Sequence, residues 1–212
     1  VTIGLWQAGQ NRIFIDCNVQ SPAEMLSPGR IGMTAILPVR FTAMNWYGKG
    51  PLETYPDRQC GGRMGAYSED VRTQPFYLRP QEYGLHMESR CMRLTDPDRA
   101  DFVRFEAACP MAMSAVPYSD LQLWNARHPP ELPAPEALHV HLDYAHRGLG
   151  NSSCGPDVLP TYRIDDRPCR FGFALEAGLG EREDNPFGPI PEEIPAYHPW
   201  KAVEEQDRTP SY

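Results

Sequence analysis

The chain has 212 residues, the length of one large domain or two small ones, and its formal net charge is −8. Such a charge argues against a nucleic-acid partner, because phosphate backbones bind basic surfaces. Hydrophobic residues make up 41% and charged residues 23%, as in ordinary globular proteins, so a packed core is expected. Neither a membrane span nor a targeting segment is evident, so a membrane is not an expected partner.

Proline is the unusual component, with 23 residues in 212, about twice the average usage. Helices tolerate proline only in their first turn. The composition therefore predicts short strands joined by long, stiff loops.

The six cysteines are spaced widely, without a CxxC pair, so neither a disulfide scaffold nor a zinc ribbon is indicated. We expect free thiols in a reducing compartment. The first residue is Val1 rather than Met, which indicates a processed or excised piece of a longer protein.

Alternation of apolar and polar residues predicts strands at residues 13–19, 138–144 and 171–175, and more weakly at 31–41, 85–94 and 101–108. A single helix is predicted from Ser119, as its N-cap, to Arg127. Many short antiparallel strands separated by turns indicate an all-β sandwich.

The composition changes near Gly178, which divides the chain into a β domain over residues 1–177 and a tail over residues 178–212. The tail is acidic and rich in proline and cannot form a core alone. We expect it to pack on the domain or extend from it, with its large apolar side chains as anchors: Phe187, Ile190, Ile194, Tyr197 and Trp200.

Residues 46–58, WYGKGPLETYPDR, are the part of the chain densest in special residues. If this segment is extended, Glu53, Tyr55 and Asp57 project to one side, where carboxylates beside an aromatic ring suit a sugar. The alternative, which we favour, is a loop held by hydrogen bonds between its own acidic residues and arginine.

A second pattern places His139, His141 and Asp143 at alternate positions of a predicted strand. Such residues could begin a zinc site. The favoured alternative is the polar or interface face of an antiparallel strand, since no convincing further ligand is present.

A third pattern is the glycine-rich stretch at residues 148–157, GLGNSSCGPD. It lacks the lysine and the helix of a phosphate-binding loop. Cys154 near His146 could be a nucleophile, but nothing in the sequence orients the pair. A long loop of this composition after a strand remains a good place for ligand contact.

Four ordered stretches carry a specific resemblance: residues 45–58, 80–90, 118–132 and 138–156. In these stretches the chain resembles the C-terminal, small-chain domain of the large bacterial β-galactosidases of glycoside hydrolase family two. With the strands on either side, the resemblance covers about residues 10–176. It implies an antiparallel β-supersandwich related to the galactose-mutarotase fold.

The resemblance also implies that catalysis takes place elsewhere in a longer protein. Family members hydrolyse terminal β-galactosides such as lactose with retention, using two glutamates on a preceding (β/α)8 barrel. The barrel also holds the family's magnesium and sodium ions. No catalytic residue, metal site or cofactor is therefore assigned to this chain.

The family's C-terminal domain contributes one edge of the sugar pocket, where many members place a tryptophan after the Gly-x-Gly turn. Ser153, Cys154 and Gly155 occupy that place here, one residue shorter, with Cys154 the nearest match. A thiol offers less stacking area than an indole. Glu53, Tyr55, Asp57, His139 and His141 are further candidates for sugar or interface contacts. Members also carry a stretch of this domain ahead of Ile13, including an active-site loop, that is missing here.

The sequence thus favours a non-catalytic domain of a β-galactosidase, with upstream domains, a galactoside substrate and copies of the whole enzyme as partners. The bacterial cytoplasm is the expected compartment, with the periplasm as an alternative. Two other functions stay open: a stand-alone carbohydrate-binding module, and an aldose mutarotase using His139 or His141 with Asp143.

Overall fold

The computed structural model describes residues 1–7, 10–20, 27–75, 77–151, 155–165, 167–180 and 187. The regular secondary structure of these residues is almost entirely antiparallel sheet, which confirms the predicted all-β class. The strands are β1 (Thr2–Gln7), β2 (Arg12–Val19), β3 (Arg30–Pro38), β4 (Ala43–Gly50), β5 (Arg63–Asp70), β6 (His86–Thr95), β7 (Phe102–Val116), β8 (Ala137–His146) and β9 (Cys169–Gly178). One α-helix, α1 (Asp120–Asn125), lies between β7 and β8.

Strand β7 is the branch point of the sheet. Its first half, Phe102–Ala107, pairs with β9, and its second half, Ala112–Val116, pairs with β8. Strand β6 runs along the other edge of both halves and continues through β4 to β5. The sheet therefore divides into one arm of β9, β2 and β1 and another of β8 and β3.

The two arms face each other and form a sandwich. Cys17 of β2 lies with its sulfur 3.3 Å from that of Met33 of β3, and the ring of Tyr144 of β8 stacks on Phe171 of β9 at 5.5 Å. The main core cluster collects buried side chains from both arms and from β4, β6 and β7. Burial of this apolar surface is the main stabilising contribution.

Most predicted elements are present. The side chains of Phe171 and Phe173 point into the core at 1% exposure, as the alternation in β9 predicts. Ser119 caps α1 through a capping box with Gln122, although the helix ends at Asn125, two residues before the predicted end. None of the helices in the described part of the chain has the length and apolar composition of a membrane span.

Three strands were not predicted, namely β1, β4 and β5. β1 and β5 lie at the outer ends of the strand order, where β1 exposes most of its residues and β5 half of them and neither has a buried residue. Apolar and polar residues therefore do not alternate clearly in them. β4 includes the first residues of the stretch at 46–58, which we interpreted by its special residues rather than by its periodicity.

The cysteines are free thiols at all five described positions, as predicted. Cys154 lies outside the described residues. In the predicted tail, Phe187 accepts a hydrogen bond at its carbonyl from Arg104 at 2.8 Å. The other four anchors of the tail also lie outside the described residues, so the packing of the tail stays a prediction.

Truncation of Phe173 to alanine should destabilise the domain by about 3–5 kcal/mol, because its ring fills the interior next to Phe105. The matched change Ile36→Ala removes a side chain that is 67% exposed and should cost no more than about 0.5 kcal/mol. Urea unfolding of both variants measures the difference. Equal losses would contradict the placement of the core.

Candidate functional site

The segment after β4, residues 51–62, is a folded loop and not an extended strand. The backbones of Tyr55 and Arg58 bond to each other in both directions, at 2.8 and 3.0 Å. Tyr55 is fully buried, and burial raises the pKa of its hydroxyl. The expectation that Glu53, Tyr55 and Asp57 share one open face is therefore wrong, because the chain turns at these residues.

Glu53 holds this loop against the neighbouring segment. Its carboxylate accepts hydrogen bonds from the backbone N–H of Gly84 at 2.7 Å, from the Arg58 guanidinium and from the Tyr77 hydroxyl. The favoured interpretation, a loop held by its own acidic–arginine hydrogen bonds, is confirmed for Glu53. The carboxylate has little capacity left for a sugar hydroxyl.

Asp57 joins the loop to the glycine-rich stretch. Its two oxygens accept hydrogen bonds from the backbone N–H groups of Leu149 and Gly150, at 3.0 and 2.7 Å. A Cβ atom at Gly148 would lie 2.8 Å from the carboxyl carbon of Asp57, and Gly150 has a φ of +63°. Glycine is therefore required at 148 by the close approach of Asp57 and Val158, and at 150 by the positive φ and the backbone of Val158, which lies 2.8 Å from the Cβ position.

Further contacts close the base of the loop formed by residues 148–157. The Arg147 guanidinium donates to both carboxylate oxygens of Asp157, at 2.7 and 2.5 Å. The Arg163 guanidinium donates to the same carboxylate at 3.3 Å. The backbone N–H of Gly148 donates to the carbonyl of Tyr162 at 2.9 Å. These contacts fix where the chain enters and leaves the loop.

Gly155 is the one residue of the predicted pocket edge that the structure describes. Gly155 is exposed, and a Cβ atom there would lie 3.2 Å from that of Asn151, so the loop closes on itself at this point. Ser153 and Cys154 lie outside the described residues. Their predicted contact with sugar stays a prediction.

A cluster of buried polar groups lies on the outer face of β8. Arg30 of β3 is bound by the Glu82 carboxylate and lies 3.6 Å from Asp143, which is 1% exposed. His146 Nε2 lies 3.8 Å from Glu82, and the His146 ring packs edge-on against Tyr55. One guanidinium therefore serves two carboxylates, of which Asp143 is buried and Glu82 is partly buried.

Burial sets the protonation of this cluster. It raises the pKa of Glu82 to about 7 and that of Asp143 to about 7, although Arg30 acts in the opposite direction on both. Burial also lowers the pKa of His146 to about 4 and lowers the pKa of His141. Nearby Asp120 and Glu53 add negative charge around Glu82 and strengthen the upward shift of its pKa.

His139, His141 and Asp143 do share the face of β8 that the alternation predicts. His141 is 4% exposed, with Nδ1 3.3 Å from the hydroxyl of Thr34 and Nε2 3.5 Å from Asp120. His141 and Asp143 are covered by other segments of this chain, and His139 is partly buried, so this face is not an open polar surface. In the described ranges, no group of three histidine, cysteine or acidic side chains is arranged to hold a metal ion.

The other imidazole considered from the sequence, His146, has its role fixed by the backbone. Its Nδ1 donates to the carbonyl of Arg147 at 2.6 Å. Because Cys154 is not described, a cysteine–histidine pair stays untested.

The structure defines a class of protein: an all-β antiparallel sandwich in which a Gly-x-Gly turn, bound by Asp57, follows strand β8. A family profile described as "Beta galactosidase small chain" matches residues 5–175. The chain belongs to the β-galactosidase small-chain family.

Three curated relatives illustrate the likeness. The chain is 38% identical over 151 residues to "Beta-galactosidase BgaC" of Bifidobacterium adolescentis, 32% over 168 residues to a "Beta-galactosidase" of Arthrobacter sp. and 29% over 148 residues to one of Staphylococcus xylosus. These matches cover 68%, 75% and 69% of this chain but only 14%, 16% and 15% of the respective relatives. The chain thus corresponds to one part of much larger polypeptides.

Sequence reasoning missed two residues of the site. Glu82 falls within a stretch that carries the resemblance but was given no role, and Arg30 was not singled out. The partners Arg30 and Glu82 are 52 positions apart, so only the folded structure reveals the pair. The one available signal was an acidic residue between proline and glycine in a stretch that carries the resemblance.

Replacing Asp57 with alanine should loosen the loop base, because two backbone N–H groups lose a charged acceptor. Amide hydrogen exchange at Leu149 and Gly150 should become faster, with Asp57→Asn intermediate because it keeps one acceptor oxygen. Glu53→Gln is the matched control in the same segment and should leave these two amides protected. Unchanged exchange in Asp57→Ala would contradict the assigned contact.

The buried cluster predicts two opposite pH dependences. Glu82 has a higher pKa folded than its ordinary 4.5, so its contribution to stability decreases as the pH rises from about 4.5 to about 7. His146 has a lower pKa folded than its ordinary 6.5, so its contribution decreases as the pH falls from about 6.5 to about 4. Relative to the wild type, Glu82→Gln should gain stability with rising pH and His146→Phe with falling pH.

Urea midpoints measured at about pH 4.5, 6 and 8 test this pair of slopes. Exposed Glu136→Gln is the control for removing any one carboxylate and should give a smaller slope than Glu82→Gln. Slopes of the same sign for Glu82→Gln and His146→Phe would show that burial does not govern these groups.

Proposed function

We propose that this chain is the non-catalytic C-terminal domain of a retaining β-galactosidase, completing one edge of its sugar pocket. The observation that carries the proposal is the bond of Asp57 to the Gly-x-Gly turn, inside the region that matches the family. This contact fixes the base of the loop that carries Ser153, Cys154 and Gly155. A loop held rigidly at its base can present a small contact surface to a substrate bound on another domain.

The acidic residues considered for this site support a non-catalytic role. Retaining glycosidases need two carboxyl groups about 5–5.5 Å apart, open to the sugar. Glu53 and Asp57 instead accept hydrogen bonds from donors of this chain, and the Glu82 carboxylate is bound by Arg30. The two catalytic glutamates, and the magnesium and sodium ions implied for the whole enzyme, then belong to an upstream barrel.

Exposed apolar side chains support packing against another domain. Leu121 and Trp124 of α1 are 67% and 84% exposed, and Leu78 is 90% exposed. Large exposed apolar groups of this kind mark interaction surfaces when they lie together. We assign them to contact with upstream domains of the same polypeptide, which as a whole is a cytoplasmic homo-oligomer acting on a terminal galactoside.

The mutarotase alternative receives less support from the structure. It needs a histidine and a carboxylate within reach of a sugar ring. His141 and Asp143 are 4% and 1% exposed and lie beneath other segments. A stand-alone carbohydrate-binding role for the loop at residues 148–157 has no observation in its favour over the pocket-edge role.

The isolated 212-residue chain should not hydrolyse a chromogenic β-galactoside, whereas the full-length polypeptide carrying the barrel should. The reason is that the proposal assigns the catalytic carboxyl pair to the upstream barrel. Initial rates with o-nitrophenyl-β-galactoside measure both. Activity in the purified chain alone would overturn the non-catalytic role.

The pocket-edge part is tested in the full-length polypeptide with Cys154→Trp, which adds aromatic stacking area at the loop. We expect KM to change by more than the thermal midpoint does. Ile36→Trp, at an exposed position of β3 outside the loop, is the control and should leave KM unchanged. An unchanged KM in Cys154→Trp would move the loop out of the pocket.

A further inference from the structure

A cavity of about 640 Å³ lies between the 51–62 segment and the residues that follow β5. This volume falls within the range of about 300–1,000 Å³ of small-molecule sites. Pro51, Leu52 and Pro75 contribute apolar walls, and Tyr77 contributes an aromatic ring. The walls therefore suit the C–H surface of a small ligand.

His86 lines this cavity with polar atoms that the protein does not satisfy. Its ring is stacked on Trp46 at 3.9 Å, and the residue is 1% exposed. Neither ring nitrogen has a hydrogen-bond partner among the described residues. The nearest charged group is Glu69, whose carboxylate lies 3.6 Å from Nε2, too far for a hydrogen bond.

Gln74 presents a second unsatisfied group to the same cavity. The residue is 6% exposed, and its amide nitrogen donates to Glu69 at 2.6 Å. Its amide oxygen has no partner in the described part of the chain. A buried polar atom without a partner costs about 1–3 kcal/mol, so a ligand that binds these atoms recovers free energy.

The chemistry of these groups selects the ligand. The oxygens of Gln74 and Glu69 need hydrogen-bond donors, whereas a neutral imidazole at His86 needs one donor and one acceptor. A hydroxyl group can both donate and accept a hydrogen bond, whereas an ammonium group can only donate. An anion would meet three carboxylates, Glu53, Asp57 and Glu69, against one positive charge, Arg58, among the described lining residues. We propose that the cavity binds a neutral polyhydroxylated ligand of monosaccharide to disaccharide size.

The proposed site does not depend on the pocket-edge role of the loop at residues 148–157. It lies wholly within residues of this chain, and its ligand needs no catalytic barrel. The 212-residue chain can therefore fail to bind the ligand while the proposed function stands. It can also bind the ligand although the pocket-edge role fails.

The test is calorimetric titration of the 212-residue chain with D-galactose, lactose and myo-inositol, with galacturonate as the anionic comparison. At least one neutral compound should bind saturably, and galacturonate should bind more weakly than galactose. His86→Phe keeps a ring against Trp46 and Gln74→Met keeps the length of the side chain. Each should weaken binding by about tenfold through the lost hydrogen bonds.

A purely structural role predicts a different result. His86→Phe removes only unsatisfied buried atoms, so under the proposal its thermal midpoint should be unchanged or higher while binding is lost. Gln74→Met also removes the hydrogen bond to Glu69, so its binding is compared with that of the wild type at a temperature where both are folded. His128→Phe, at an exposed histidine outside the cavity, is the matched control and should bind like the wild type. If His86→Phe does not fold, Gln74→Met alone decides.

The proposal is overturned if none of the three neutral compounds binds saturably, which would leave a cavity holding only water. It is also overturned if galacturonate binds more tightly than galactose, or if folded His86→Phe and Gln74→Met bind as well as the wild type.

Discussion

The divided pairing of β7 is the constraint on which the other features depend. Because one half of the strand pairs with β9 and the other with β8, the two arms of the sheet come face to face and enclose one core. The same ladders position the loops. Asp57 follows β4, which is connected through β6 and β7 to β8, and β8 leads into the turn that Asp57 binds. The Asp57 side chain therefore meets a backbone N–H group 92 positions away, at a place set by the ladders of the sheet.

The buried cluster beneath the loops works against stability in part, since two carboxylates and two imidazoles are removed from water. Its contributions to the pH dependence oppose each other. Glu82 and Asp143 make the folded state hold protons more tightly, whereas His141 and His146 make it hold them less tightly. The cluster as a whole is therefore less sensitive to mild acid than any one member, because proton binding by the carboxyls offsets proton exclusion by the imidazoles.

Local patterns predict the sandwich but only part of the site. The alternation around Phe173 and the cap at Ser119 depend on neighbouring residues, so sequence alone reveals them. The sequence favoured a loop at residues 51–62 but did not predict the burial of Tyr55, because the period-two argument applies only to an extended chain and this segment turns. Arg30 and Glu82 could not be paired from sequence, since nothing local distinguishes an arginine that will meet a carboxylate 52 positions away.

Polar groups around the 51–62 segment fall into two classes with different meanings. The carboxylates of Glu53 and Asp57 are satisfied by donors of this chain, so their hydrogen bonds account for their presence without a ligand. His86 and Gln74 are more deeply buried and keep unsatisfied atoms at the wall of a cavity. Burial without a partner is costly, and apolar residues of similar size would avoid that cost. Stacking on Trp46 and the bond to Glu69 account for part of His86 and Gln74, but folding gives no reason for their unsatisfied nitrogens and oxygen, and the proposed hydroxyl-bearing ligand supplies one.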